Sequence, residues 1–114
     1  MTVIITLVAR EGGPSITNAL INKVRDQFSA GEPAWLAEGF ACDLSSEGNL
    51  EHSQNLARNS EVAKVLDIFV QQKTNRRKRL LLADMDSTIV TGETLDELAE
   101  HAGLKDEISE ITAK

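Results

Sequence analysis

Residues 79–90, RLLLADMDSTIV, constrain this chain more than any other stretch. Leu80, Leu81, Leu82 and Ala83 form an apolar run of the length of a short buried strand, and polarity changes abruptly at Asp84. Open α/β sheets place their chemistry at such strand ends. Asp84 and Asp86 are two apart, so in a continued strand both carboxylates face one side and Met85 the other. Two carboxylates this close repel unless a cation or a proton is shared between them. A hard divalent ion with oxygen ligands, magnesium before others, suits the pair. A short Asx- or Ser-rich turn at the end of a strand has the same local composition, so the pair alone leaves both alternatives open.

The rest of the composition limits what can surround this stretch. With 114 residues, 41% hydrophobic and 26% charged, the chain belongs with soluble globular proteins and can bury only a modest core. Three Phe, one Trp and no Tyr leave the filling of that core to aliphatic side chains. A formal charge of −6 speaks against a protein that coats nucleic acid or an anionic membrane. Cys42 is the single cysteine, which excludes an intrachain disulfide and a cysteine-rich zinc site; among Phe40, Ala41 and Leu44 it reads as a buried, inert thiol. The apolar run at residues 2–9 is too short for a membrane span and has no basic leader, so a cytoplasmic location is the expectation.

In chain order, residues 2–9 predict a central strand rich in Val and Ile. Gly12, Gly13 and Pro14 mark a turn, and a helix is expected over residues 15–28, with Ile16, Leu20, Val24 and Phe28 along its apolar stripe. Residues 34–44 form a second extended candidate with a bend or bulge at Gly39 and Trp35 at a core edge. Residues 45–49 read as a polar loop, 49–58 as a short helix with Leu50, Leu56 and Ala57 on its apolar face, and 66–71 as a third strand. The expected order is thus β-α-β-α-β, a small two-layer module. Residues 74–78 form the domain boundary, and the basic run Arg76, Arg77, Lys78 and Arg79 reads as a solvated connector. Beyond the Asp pair, Thr94 and Glu97 have capping-box spacing at the start of a helix that carries Leu95, Leu98, Ala99 and Ala102 and ends at Gly103. Another helix is expected from about Lys105, with Ile108 and Ile111 on one side. It stops in mid-pattern, which suggests part of a larger domain. His52 and His101 are isolated, as packing or surface residues are.

Asp84-Met85-Asp86-Ser87-Thr88 after LLLA resembles motif I of the haloacid-dehalogenase-like superfamily of phosphohydrolases. DMDSTIV followed by ETLDELA, with Glu93 nine positions beyond Asp84, is more narrowly similar to the start of the catalytic domain in the phosphoserine phosphatase family. The likeness covers residues 80–114 and implies a Rossmann-like domain of which this chain carries the N-terminal segment, 76–114. It further implies that Asp84 is the nucleophile that becomes an aspartyl-phosphate, and that Asp86 is the general acid and then the base. Magnesium would be held by the Asp84 side chain and the Asp86 carbonyl, with the Met85 and Asp86 amides cradling the phosphoryl group. Glu93 would receive the substrate ammonium, and Thr88, with Ser87, would hold the loop. Asp96 and Glu97 fit helix-start acids better than ligands.

Residues 1–75 more loosely resemble the ACT-like regulatory or dimerisation domains, usually β-α-β-β-α-β, that precede the catalytic domain in longer phosphoserine phosphatases. Together these likenesses imply an α/β protein: a small two-layer α+β module followed by a truncated catalytic domain. They imply hydrolysis of O-phospho-L-serine in serine biosynthesis, serine as product or effector, and a homodimer, with neither nucleic acid nor membrane as partner. A related small-molecule phosphatase or phosphotransferase, and a non-catalytic amino-acid-binding module, are the alternatives. The family's later Ser or Thr, Arg, Lys and metal-binding Asp residues have no counterparts in these 114 residues, so the chain by itself is expected to be almost inactive. Loss of even one positioned electrostatic contact can cost ~3–4 kcal/mol.

Overall fold

The computed structural model describes residues 1–92 and 94–102, which fall into two compact units, Met1–Arg77 and Lys78–Lys114. The first unit runs β1 (Thr2–Ala9), α1 (Asn18–Phe28), β2 (Ala34–Ala37), β3 (Ala41–Glu47), α2 (Leu50–Arg58), a 3-10 turn (Glu61–Lys64) and β4 (Leu66–Gln72). Its four strands form one sheet in the order β2-β3-β1-β4, with antiparallel neighbours throughout. A β-α-β-β-α-β chain folded this way is a split β-α-β arrangement, in which β3 is inserted between β1 and β2.

The alternation of β1 decides what the sheet buries. Val3, Ile5 and Leu7 point to one face and are fully buried there. Register places Ile5 beside Leu44 of β3 and Val70 of β4, and Leu7 beside Cys42 and Ile68. Ile16, Ile21, Val24, Phe28, Ala57 and Val62 complete the same core, so the helical layer covers this face. Burial of each large aliphatic side chain contributes roughly 1.5–3 kcal/mol. Side-chain caps fix the helix starts: Thr17 accepts from the Leu20 amide, Asn49 from His52, and Ser60 from Val62 at the 3-10 turn.

Three expectations for this unit change. The extended candidate over residues 34–44 is a hairpin, β2 and β3, because Gly39 adopts φ 78° and turns the chain instead of bulging it. β3 continues through residues 45–47, which the polar sequence Ser45-Ser46-Glu47 disguised as a loop; Ser46 is buried and donates to the Phe28 carbonyl, while Ser45 and Glu47 face outward. The first unit therefore has four strands, not three. Helix α1 also begins later, at Asn18, since Thr17 takes the capping position, and Ile16 enters the core from the preceding loop.

The opposite face of the sheet carries a polar cluster. Thr6 donates to Asp43 Oδ1 at 2.6 Å, and Arg76 contacts both oxygens of Asp43, at 2.9 and 2.8 Å. The Arg76 and Asp43 side chains are only 30% and 13% exposed. Arg76 is thus an anchor folded onto the sheet, not the first residue of a solvated basic connector. Arg10 is used similarly: it pairs with Asp67 at 2.9 Å and donates to the carbonyls of Ala63, Lys64 and Leu66.

In the second unit the described residues contain one helix, α3 (Thr94–Ala102), preceded by a looped segment. The expected strand at residues 80–83 is not formed, and Leu80, Leu81 and Leu82 are 82%, 86% and 91% exposed. An apolar run becomes a buried parallel strand only beside neighbours that take its backbone hydrogen bonds, and it joins no sheet among the described residues. The helix expected from Lys105 lies outside the described residues. No helix among the described residues is long and apolar enough to cross a membrane.

Candidate functional site

The loop that follows Leu82 and Ala83 is closed by its own backbone. The Met85 carbonyl accepts from the amides of Thr88, Ile89 and Val90 at 3.3, 3.0 and 3.1 Å, and the Ser87 amide donates to the Gly92 carbonyl at 3.2 Å. Ser87 adopts a left-handed φ of 56°, the conformation that lets the chain reverse within so few residues. Asp86 and Val90 are joined by an isolated parallel bridge at the base of this loop. The turn is therefore ordered by convergence on one carbonyl, and Ser87 serves its geometry.

This folding distinguishes the two aspartates. Asp84 precedes the turn and is exposed. Asp86, inside it, is half-buried and accepts a hydrogen bond at Oδ1 from Thr94 Oγ1, the first residue of α3, at 2.5 Å. The Met85 and Asp86 amides donate to no backbone carbonyl among the described residues, and the Asp86 carbonyl accepts from no backbone amide there. Met85 and Thr88 have exposed side chains at the loop surface. Glu93 lies outside the described residues.

Two oxygen donors at this loop are the exposed Asp84 carboxylate and the Asp86 carbonyl, which accepts from no backbone amide among the described residues. Both are oxygen ligands of the type magnesium takes, and an octahedral ion supplements so few protein ligands with water and substrate oxygens. Among the described residues no group of three or more His, Cys, Asp or Glu side chains is arranged to hold a metal. What the two positions offer is therefore donor chemistry compatible with a hard divalent ion.

Sequence patterns did not reveal the partner of Asp86. Thr94 stood out only for its capping-box spacing with Glu97; its hydroxyl donates to Asp86, and Glu97 reaches back over Gly92. A Cβ on Gly92 would come within 2.8 Å of Glu97 Oε1. Only a return of the chain by eight residues, a tertiary event, joins Asp86 to Thr94.

Other titratable groups lie in the first unit. Burial, followed by the neighbouring Asp43 charge, pushes the Cys42 thiol up to about 11, which agrees with an inert core cysteine. Glu47 is held below the ordinary carboxylate range, first by the hydroxyl of Thr2 and also by the N-terminal ammonium. His52 and His101 are exposed. A groove of about 740 Å³ runs beside β4, and its lining, including Arg10, Gln54, Asp67 and Phe69, comes wholly from the first unit. The Arg10 guanidinium there is occupied by Asp67 and three carbonyls, as an internal brace is.

No protein-family model matches the chain. Curated proteins do. The chain is 43% identical over 77 residues to a phosphoserine phosphatase of Archaeoglobus fulgidus, covering 66% of this chain and 22% of that protein. It is 49% identical over 37 residues to a phosphoserine phosphatase of Methanocaldococcus jannaschii, covering 32% of this chain and 18% of that protein. A Streptomyces coelicolor phosphoserine phosphatase is 45% identical over 38 residues, covering 33% of this chain and 9% of that protein. The chain spans about a fifth or less of the length of these relatives, and its similarity is to phosphoserine phosphatases of both archaea and a bacterium.

Proposed function

We propose that this chain is part of a magnesium-dependent phosphoserine phosphatase: an ACT-like domain followed by the opening of a haloacid-dehalogenase-like catalytic domain. The observation that carries this reading is the self-closed loop with Asp84 exposed before it and Asp86 held within it. Three relatives named phosphoserine phosphatase support it. The first unit's β-α-β-β-α-β order is compatible with an ACT-like module, for which serine binding and pairing into a homodimer are the associated roles.

In this mechanism Asp84 attacks phosphorus and forms an aspartyl-phosphate while Asp86 gives a proton to the departing seryl oxygen. Asp86 then takes a proton from water as the water attacks phosphorus and frees Asp84. The Met85 and Asp86 amides, which donate to no backbone carbonyl among the described residues, are donors for the phosphoryl oxygens. Thr88 belongs to the turn that fixes these donors, through its amide on the Met85 carbonyl. Magnesium, held by the Asp84 carboxylate and the Asp86 carbonyl, would neutralise negative charge on the phosphoryl group. Glu93 is assigned to the substrate's ammonium on sequence grounds. The reaction needs cationic groups for phosphate and for the substrate carboxylate from elsewhere in the complete protein, so the 114 residues alone are expected to be almost inactive.

The test is phosphate release from O-phosphoserine by the complete protein with and without magnesium, and with Glu93→Gln. Activity should require the metal. Glu93→Gln should reduce turnover of phosphoserine by roughly tenfold or more, as loss of a charged contact of about 1.5–3 kcal/mol does. A phosphate ester without an amine should be much less affected. Equal loss on both esters removes Glu93 from substrate recognition, and absence of phosphate release overturns the reading as a whole.

A further inference from the structure

We infer that Thr94 is a positioning residue that acts through Asp86, setting the carboxyl group for proton transfer to the leaving oxygen. This rests on the phosphoryl-transfer reading of Asp84 and Asp86. Thr94 Oγ1 donates to Asp86 Oδ1 across eight residues of sequence. The donor stands at the start of a nine-residue helix, and a β-branched side chain there has few rotamers, so the hydroxyl is presented from a stiff element. The acceptor belongs to the turn closed on the Met85 carbonyl. The bond to Oδ1 restrains rotation of the carboxyl group, and Oδ2 is the oxygen assigned to proton exchange.

The chemistry balances on that assignment. As the Asp84 oxygen–phosphorus bond forms and the bond from phosphorus to the seryl oxygen breaks, the Asp86 Oδ2 proton passes to the seryl oxygen and leaves Asp86 as a carboxylate. As water oxygen bonds to phosphorus and the Asp84 oxygen–phosphorus bond breaks, a water proton returns to Oδ2. Thr94 keeps its own proton throughout, so it contributes orientation and no group of its own. Capping an amide in the first turn of α3 would use only the lone pairs of the Thr94 oxygen, so it does not account for the proton donated to Asp86.

A double-mutant cycle in the complete protein separates these roles. Thr94→Val should lower kcat on phosphoserine by about tenfold with KM changed less than about twofold, and Thr94→Ser should restore most of the rate, because loss of orientation acts on the chemical step. In an Asp86→Ala background, where no carboxyl remains to orient, Thr94→Val should have less than about a twofold effect. The same fold-loss in both backgrounds, or full activity of Thr94→Val alone, overturns the inference while leaving the phosphatase reading intact. Wild-type activity in Asp86→Ala would defeat the proton-transfer assignment of Asp86 and the inference with it.

Discussion

The two units contain similar apolar sequences with opposite fates. In β1, Val3, Ile5 and Leu7 are buried, each flanked by a strand on both sides and covered by helices. At residues 80–82 three leucines in succession lie in solvent. Ile89, Leu95 and Leu98 are also exposed in that unit. Hydrophobicity alone does not separate the runs; the difference lies in what stands beside them. β3 and β4 supply β1 with backbone partners on both edges, whereas residues 80–83 have no ladder among the described residues. An apolar segment therefore reports that a strand is wanted, and neighbouring strands decide whether it is made.

Core truncation gives the largest expected effect on this contrast. Ile5→Ala in this chain should destabilise the first unit by about 2–5 kcal/mol, as loss of a fully buried aliphatic side chain does. Leu81→Ala should change its stability by less than about 0.5 kcal/mol. Urea unfolding followed by the fluorescence of Trp35, which belongs to the first unit, measures both; similar costs for the two changes would break the distinction. Next in size is the anchor on the open face. Arg76→Ala leaves the half-buried Asp43 without its cation and should cost roughly 1–3 kcal/mol, while exposed Arg77→Ala should be nearly neutral. The same unfolding experiment separates them.

The smallest effect under ordinary conditions is that of Cys42. Its folded-state value, about 11, lies above the ordinary value of 9.0. The raised value makes this contribution to stability fully present below pH 9 and progressively lost as pH rises toward 11, because the unfolded chain releases the thiol proton first. The expected loss is ~2 kcal/mol. Iodoacetamide should leave Cys42 unmodified at pH 8 and label it only when the first unit unfolds; rapid native-state labelling would show an open core.

The strands and helices whose signals are local were legible in the sequence. β1 could be read from its Val and Ile content, α2 from Leu50, Leu56 and Ala57, and β4 from the alternation of Leu66, Ile68 and Val70. The division of residues 34–47 into two strands was less visible, since Gly39 is compatible with a bulge until its turn conformation is known, and Ser46 looks like a loop residue until its bond to Phe28 is seen. Tertiary partners left no periodic trace. Arg76 lies in a basic run that suggests solvent, yet it finds Asp43 across 33 positions. The aspartate pair was visible as a pair, but the difference in their surroundings depends on the Met85-centred turn and on Thr94.

The central claim concerns Asp84, the exposed carboxylate before the closed turn. The complete protein, mixed with magnesium and phosphoserine and quenched in acid within the first turnover, should yield a peptide carrying a phosphoryl group on Asp84, detected by mass spectrometry and absent in Asp84→Asn. Asp84→Asn should also lower steady-state phosphate release by about 10⁴-fold or more, the scale on which removing a nucleophile acts. Turnover without any adduct on Asp84, or undiminished turnover in Asp84→Asn, would contradict the account.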